Sequence, residues 1–213
     1  MYIPPSYVET DLNQLHDLMR AYNFATLASN GHPAPFATHL PFMVDTNAGE
    51  HGTLITHMAR ANPHWKRLQA EEEVLVIFMG PHSYISPRWY AAPSVVPTWN
   101  YAAVHAYGRP QVIHEESRLR EIVTALADFQ EGGVRLPGLD EDFPDDLLKA
   151  IVGVEIPIER LEGKAKFSQN RSLEDQQGVV DVLSQSIDTT QQAVAQIMRD
   201  NIDQRTRVKE GSS

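Results

Sequence analysis

Thr53-Leu54-Ile55-Thr56-His57-Met58-Ala59-Arg60-Ala61-Asn62-Pro63-His64-Trp65-Lys66-Arg67-Leu68 reads as a strand that runs into a helix. Thr53 to Thr56 alternates polar and apolar side chains, as a half-buried strand does. Asn62-Pro63 starts the helix, because Asn is a favoured N-cap and the N–H that Pro lacks would have no partner at the first helical position. Trp65 and Leu68 give that helix an apolar face, with Lys66 and Arg67 beside it. A helix N-terminus leaves backbone donors unpaired and carries roughly half a positive charge, so with Arg60 and Lys66 nearby the corner suits an anion, phosphate above all. The same spacing also fits an ordinary strand-to-helix corner whose Arg and Lys face water.

On the N-terminal side, Thr10 or Asp11 caps a helix in which Leu12, Leu15, Leu18, Met19 and Tyr22 recur at helical spacing. Phe24 to Ser29 is a strand, Asn30-Gly31 a hairpin signal, and Ala34 to Val44 the partner strand, which carries His39. On the C-terminal side, Val74 to Met79 is too continuously apolar for a surface strand and belongs in the centre of the sheet, ending at Gly80-Pro81 with Ser83 to Ser86 as its hairpin mate. Pro87 to Pro97 is an irregular loop, and Thr98 to Tyr107 a strand with Trp99, Tyr101, His105 and Tyr107 on one face. Ser117 to Gln130 is an amphipathic helix and Glu131 to Asp146 an acidic surface excursion. Ile151 to Ile158 is a last, edge strand, where Pro157 is tolerable. Ser172 opens a helix to about Ile187, and a second runs from about Thr190 to Ile202 before a basic, frayed tail. Six or seven antiparallel strands in sequential hairpins with helices at both ends predict a small closed barrel, α+β or mainly β.

The chain has 213 residues with 42% apolar side chains, enough for a sizeable core. With 18 basic and 28 acidic side chains its net charge is -10, which argues against broad electrostatic binding to nucleic acid or anionic membrane. Any DNA contact must be local. Absence of cysteine excludes disulfides, thiolate metal sites and cysteine nucleophiles. No apolar run approaches the roughly 20 residues of a membrane span, and Met1 to Pro5 lacks the features of a signal peptide, so a cytoplasmic protein is expected.

There is no G-x-G-x-x-G, no P-loop and no G-x-S-x-G elbow. The nine histidines include no H-E-x-x-H pair, and no metal site is expected. Tyr84, Trp89, Tyr90, Trp99 and Tyr101 either fill the core or wall a planar ligand. A phosphate site at Arg60 and Asn62 beside such a wall would suit flavin mononucleotide, one end anionic and the other flat. Lys164, Lys166, Gln169 and Asn170 form either a solvated loop or a clamp over that ligand.

Met1-Tyr2-Ile3-Pro4, Thr56 to Pro63, Val96-Pro97-Thr98-Trp99-Asn100-Tyr101-Ala102-Ala103-Val104-His105 and Lys166-Phe167-Ser168-Gln169-Asn170 together resemble the PaiB-type family, FMN-binding negative transcriptional regulators. The resemblance covers nearly the whole chain. It implies a six- to seven-stranded antiparallel split β-barrel akin to pyridoxamine-phosphate oxidase, over residues 1–170, with a C-terminal helical extension over 171–213. It also implies a homodimer with FMN between subunits. In such barrels the phosphate lies at the end of the third strand and the start of the next helix, here Thr56, His57, Arg60, Asn62 and Lys66. The flavin ring follows the second strand, which points to His39 and Leu40, with looser contacts from Trp99, Asn100, Gln169 and Asn170. Where related oxidases have Ser-Arg-Lys, Ala59-Arg60-Ala61 leaves fewer phosphate ligands. Repression through DNA, an FMN-dependent oxidoreductase acting on a small substrate, and haem binding through His39, His57 or His105 are the functions that follow from the resemblance.

Overall fold

The computed structural model describes residues 1–31, 33–69, 72–93, 95–135 and 144–210. The chain divides into two compact units. Met1–Glu9, Met79–Ala103 and Gly163–Ser213 form the first, and Thr10–Phe78 with Val104–Glu162 the second. Counted by sequence, the first carries eight basic and eight acidic side chains and the second ten basic and twenty acidic ones, so the entire net charge of -10 belongs to the second.

The strands are β1 (Val8–Glu9), β2 (Phe24–Ser29), β3 (Phe36–Pro41), β4 (Met43–Asp45), β5 (Thr53–Ala59), β6 (Val74–Ile85), β7 (Thr98–Gly108), β8 (Gln111–Ile113) and β9 (Ile151–Lys166). The helices are α1 (Leu12–Ala21), α2 (His64–Leu68), α3 (Glu116–Gln130), α4 (Asp145–Lys149), α5 (Leu173–Leu183) and α6 (Thr189–Glu210). The sheet order is β3-β2-β6-β7-β9-β5-β4, with β1 and β8 both paired to β9. Seven strands lie on one path, and the described pairings are antiparallel.

In the second unit the core follows directly from period-two patterning. Ala25 and Leu27 of β2, Val74, Val76 and Phe78 of β6, and Leu54 and Met58 of β5 all turn inward against Leu15 and Met19 of α1. Asp11 caps α1 by accepting from the backbone of Asn13 and Gln14, as its position predicts. Phe42 is fully buried, edge-on to Phe78 at 5.9 Å, a burial that contributes roughly 2–3 kcal/mol. It also breaks the expected Ala34–Val44 strand: β3 pairs with β2, while β4, beyond Phe42, pairs with β5. On the other face of β5 and β9, Ile55 packs against Ile122 and Leu126 of α3. The approach is tight: a Cβ on Gly153 would lie 2.9 Å from Ile122 Cδ1.

In the first unit α5 and α6 pack through Val179, Val180, Leu183, Val194, Ala195 and Met198, all buried. Asp175 of α5 accepts from the backbone N–H of Ala91 and Ala92 at 2.9 and 3.0 Å, which pins the loop after a short 3-10 turn at Pro87–Trp89.

Several elements run further than their sequence signals. β6 continues through Gly80-Pro81 to Ile85 as one strand, where the pair reads as a turn. β9 continues through Pro157 to Lys166 and is internal rather than an edge. Pro157 sits opposite Thr53, the first residue of β5, so the ladder loses little from its missing N–H, and the next bond runs from Ile158 N to Gly52 O at 2.9 Å. α5 stops at Leu183, short of the expected Ile187, because Ser186 and Asp188 cap the following turn and helix. α6 extends to Glu210, past the expected end and through much of the tail. Of the expected acidic excursion Glu131 to Asp146, residues 136–143 lie outside the described ones.

Candidate functional site

The corner between β5 and α2 is built around a fully buried histidine. His64 opens α2, and its ring lies between β2 and β3, with Nε2 2.9 Å from Ser29 Oγ and Nδ1 2.8 Å from Thr38 Oγ1. Thr38 Oγ1 also accepts from Asn62 Nδ2 at 3.2 Å, and Asn62 Oδ1 accepts from the His64 backbone N–H at 3.0 Å. A neutral imidazole donates from one ring nitrogen and accepts at the other, and each hydroxyl can take either part, so both nitrogens of His64 are satisfied in either tautomer. Burial, and secondarily the Arg67 guanidinium, holds His64 below the usual imidazole range, so the neutral form assumed here is the stable one. α2 starts one residue later than expected, with Pro63 rather than Asn62 at the N-cap position; Asn62 still holds the His64 N–H through its side chain, and with only five residues the helix has a small dipole.

Arg60 is largely committed. Its Nε donates to Lys149 O at 2.7 Å, its NH2 to Ile151 O at 2.8 Å, and its backbone N–H to Ala150 O at 2.7 Å, so it clamps the end of β5 to the start of β9. NH1 lies 3.4 Å from His114 Nδ1. Trp65 Nε1 donates to Arg60 O at 2.9 Å, Lys66 lies over the Trp65 ring, and Arg67 stacks on Phe36 at 4.7 Å. In a unit with twice as many acids as bases, no carboxylate among the described residues pairs with Arg60, Lys66 or Arg67.

The other expected site residues take mixed positions. In the second unit Leu40 is in the core, and Thr56 is fully buried and donates to Pro41 O at 2.6 Å. His39 is exposed on the opposite face of β3 from Thr38 and Leu40, hydrogen-bonded to Thr26 at 2.9 Å. His57 is mostly buried, its Nδ1 has no partner, and burial lowers its pKa. In the first unit Asn100 is fully buried between Ser168 Oγ and Met198 Sδ, which are 3.0 and 3.4 Å from its Nδ2. Gln169 spends its side chain on Ala165 O and the Phe167 N–H, while Asn170 and Trp99 are exposed. Residues 39–66 and 99–170 of the expected set thus fall in different units. The Ser29–His64–Thr38 chain is the feature that sequence reasoning missed. On the predicted hairpin Ser29 pairs with Phe36 and Thr38 with Leu27, so the two polar residues lie diagonally on one face, and that pattern was the available signal.

A family model described as "Putative FMN-binding domain" matches residues 1–160. The chain belongs to this FMN-binding family. It is 32% identical to the Protease synthase and sporulation protein PAI 2 of Bacillus subtilis over 205 residues, 95% of this chain and 98% of the relative. Among solved structures, a FAD and heme binding protein from Mycobacterium smegmatis is similar with a TM-score of 0.59, 17% identity, and coverage of 79% of this chain and 77% of its own. A flavocytochrome from Azotobacter vinelandii gives 0.58, 15%, 75% and 69%. At those identities the likeness is one of fold, and the fold is the expected antiparallel split barrel with flanking helices and a C-terminal helical pair.

The residues fit the phosphate end of FMN. A dianionic phosphate asks for cationic donors without carboxylate competitors, and Lys66 with the spare N–H groups of Arg60 is such a set. No helix among the described residues is long and apolar enough to cross a membrane, and no group of three His, Asp or Glu among them is placed to hold a metal ion.

Proposed function

We propose that this protein binds FMN as a homodimer and acts as a negative transcriptional regulator of the PaiB type. The observation that carries the flavin reading is the β5–α2 corner, where Arg60, Lys66 and Arg67 follow one another closely in the chain of an otherwise acidic unit and none pairs with a carboxylate among the described residues. Lys66 supplies the mobile charge, Arg60 adds donors left over from its clamp, and Asn62 fixes the helix start. FMN contributes electron transfer when bound, and the protein's part is to bind and orient it. End-to-end similarity to the sporulation protein supports the regulator role.

The test is the absorption spectrum of the purified protein with added FMN, for the native chain and Lys66→Met. Lys66 is exposed and holds nothing else in place, so its replacement separates binding from folding. A bound-flavin spectrum weakened in the variant is expected; binding of equal strength in both, or none at high micromolar FMN, sinks the assignment. A gel shift on upstream DNA across a salt series then tests repression, and sequence-independent retention or no retention would refute it.

The unpartnered Nδ1 atoms of His57 and His105 favour haem as a second reading, in line with the haem named for the Mycobacterium smegmatis protein. The absence of a Soret band on haem titration removes this reading, and a band that survives replacement of both histidines removes their assignment as axial ligands. Reduction of bound FMN by NADH or NADPH with transfer to an acceptor would point instead to an oxidoreductase.

A further inference from the structure

The first unit holds a second cluster of cations. Lys164, near the end of β9, is 8% exposed, yet its ammonium finds only the Tyr2 carbonyl at 3.1 Å and the faces of Tyr101 and Tyr2, 5.0 and 5.8 Å from the ring centroids. Lys166, two residues on and so on the same face of the strand, donates to Thr98 Oγ1 at 2.5 Å and to the Trp99 carbonyl, and lies 5.9 Å from the Tyr7 ring. Arg171 rests on the Tyr90 ring at 5.3 Å. No carboxylate among the described residues pairs with any of the three.

Three like charges held together, one of them nine-tenths buried, are costly without a counter-ion, and aromatic faces offset only part of that cost. The strain registers on Lys166, whose ammonium is pushed below the ordinary lysine range by burial first and by Lys164 and Arg171 next. Donors remain: with three N–H groups on each ammonium and five on the guanidinium, most of the hydrogens in the cluster have no acceptor among the described residues. Beside it, Trp99 is 53% exposed, with Tyr84 edge-on to it at 6.2 Å, a flat apolar surface on the residue whose carbonyl anchors Lys166.

We propose that Lys164, Lys166 and Arg171 form a second anion site, for a small aromatic carboxylate or phosphate whose ring lies against Trp99. The clustered cations select the acid, and Trp99 selects the ring. The site lies wholly within the first unit, apart from the residues assigned to FMN phosphate; Trp99, Lys164 and Lys166 are also expected near the flavin, so competition with FMN decides whether the two ligands share it.

The full-length protein, titrated with benzoate, phenyl phosphate, inorganic phosphate and benzamide, tests this by tryptophan emission and calorimetry. One saturable site for benzoate or phenyl phosphate is expected, with the tighter of the two naming the acid, and with inorganic phosphate weaker and benzamide silent. Lys166→Met with Arg171→Met should weaken the acids by about tenfold or more, while Lys166→Arg keeps most of the affinity. Should the double variant not fold, Lys166→Gln, which keeps the length but not the charge, is expected to weaken both acids in the same direction. Trp99→Phe should remove the emission change but not the heat. Lys66→Met should leave these titrations unaltered even where it abolishes FMN binding. No saturable binding of either acid up to about 10 mM, equal binding by a folded charge-removing variant, or stoichiometric displacement of the acid by FMN would overturn the proposal.

Discussion

Thr38→Val removes one hydroxyl and leaves the shape nearly unchanged, so it isolates the hydrogen-bonded chain around His64. Thr38 Oγ1 is hydrogen-bonded to His64 Nδ1 at 2.8 Å and accepts from Asn62 Nδ2 at 3.2 Å. Asn62 is half-buried and recovers a partner from water, but His64 is fully buried and its Nδ1 has no alternative partner among the described residues. An orphaned buried ring nitrogen, donor or acceptor, costs about 1–3 kcal/mol, a lost part-buried bond about 1, and the added methyl returns about 0.8. The net loss is about 2 kcal/mol, or roughly 4–8 °C in Tm for a chain of this length. Urea denaturation and thermal melts measure it. A loss below about 0.5 kcal/mol would refute the energetic reasoning.

His57, His64 and His105 all have folded pKa values lowered by burial below the 6.5 of a free imidazole. The unfolded chain therefore takes up protons first, so stability is full above about pH 6.5 and falls as the pH drops through 6.5 toward the folded values. Melts between pH 8 and pH 5 should show this loss, and a flat profile would contradict it. Gly153→Ala should cost about 1–3 kcal/mol, because the new Cβ would sit 2.9 Å from Ile122 Cδ1 and 3.1 Å from Ile113 Cβ; an unchanged urea midpoint would mean that α3 gives way freely. Arg60→Met should lower stability by about 2–4 kcal/mol through the lost carbonyl bonds, whereas Lys66→Met should leave the Tm within about 1 °C; the reverse ranking would overturn the division of labour between them.

Where periodicity was strong, the sequence was sufficient. Asp11 capped its helix, the runs 24–29 and 98–107 formed strands, and the stripe Leu119, Ile122 and Leu126 turned toward the sheet. Local punctuation failed where tertiary pairing overrode it. Gly80-Pro81 and Pro157 read as stops, yet long strands pass through both. Nothing local separates a proline that ends a strand from one placed where its partner strand is itself beginning. The cationic character of the β5–α2 corner was legible from Arg60 and Lys66. That Arg60 spends its donors on the carbonyls of Lys149 and Ile151 was not, because those partners lie about ninety residues away in the chain. His64, read only as a residue of the helix, anchors the corner through partners on two different strands.

The partition of charge gives the protein two electrical characters. A polyanion such as duplex DNA meets repulsion over the acidic unit and, over the balanced one, only whatever local cations it can find. Two copies that meet through their balanced units do so with no net electrostatic toll, and their association should barely respond to ionic strength. Salt then becomes a diagnostic: a complex that dissolves steeply as salt rises is held by the scattered basic residues, and one that ignores it is held by the neutral face.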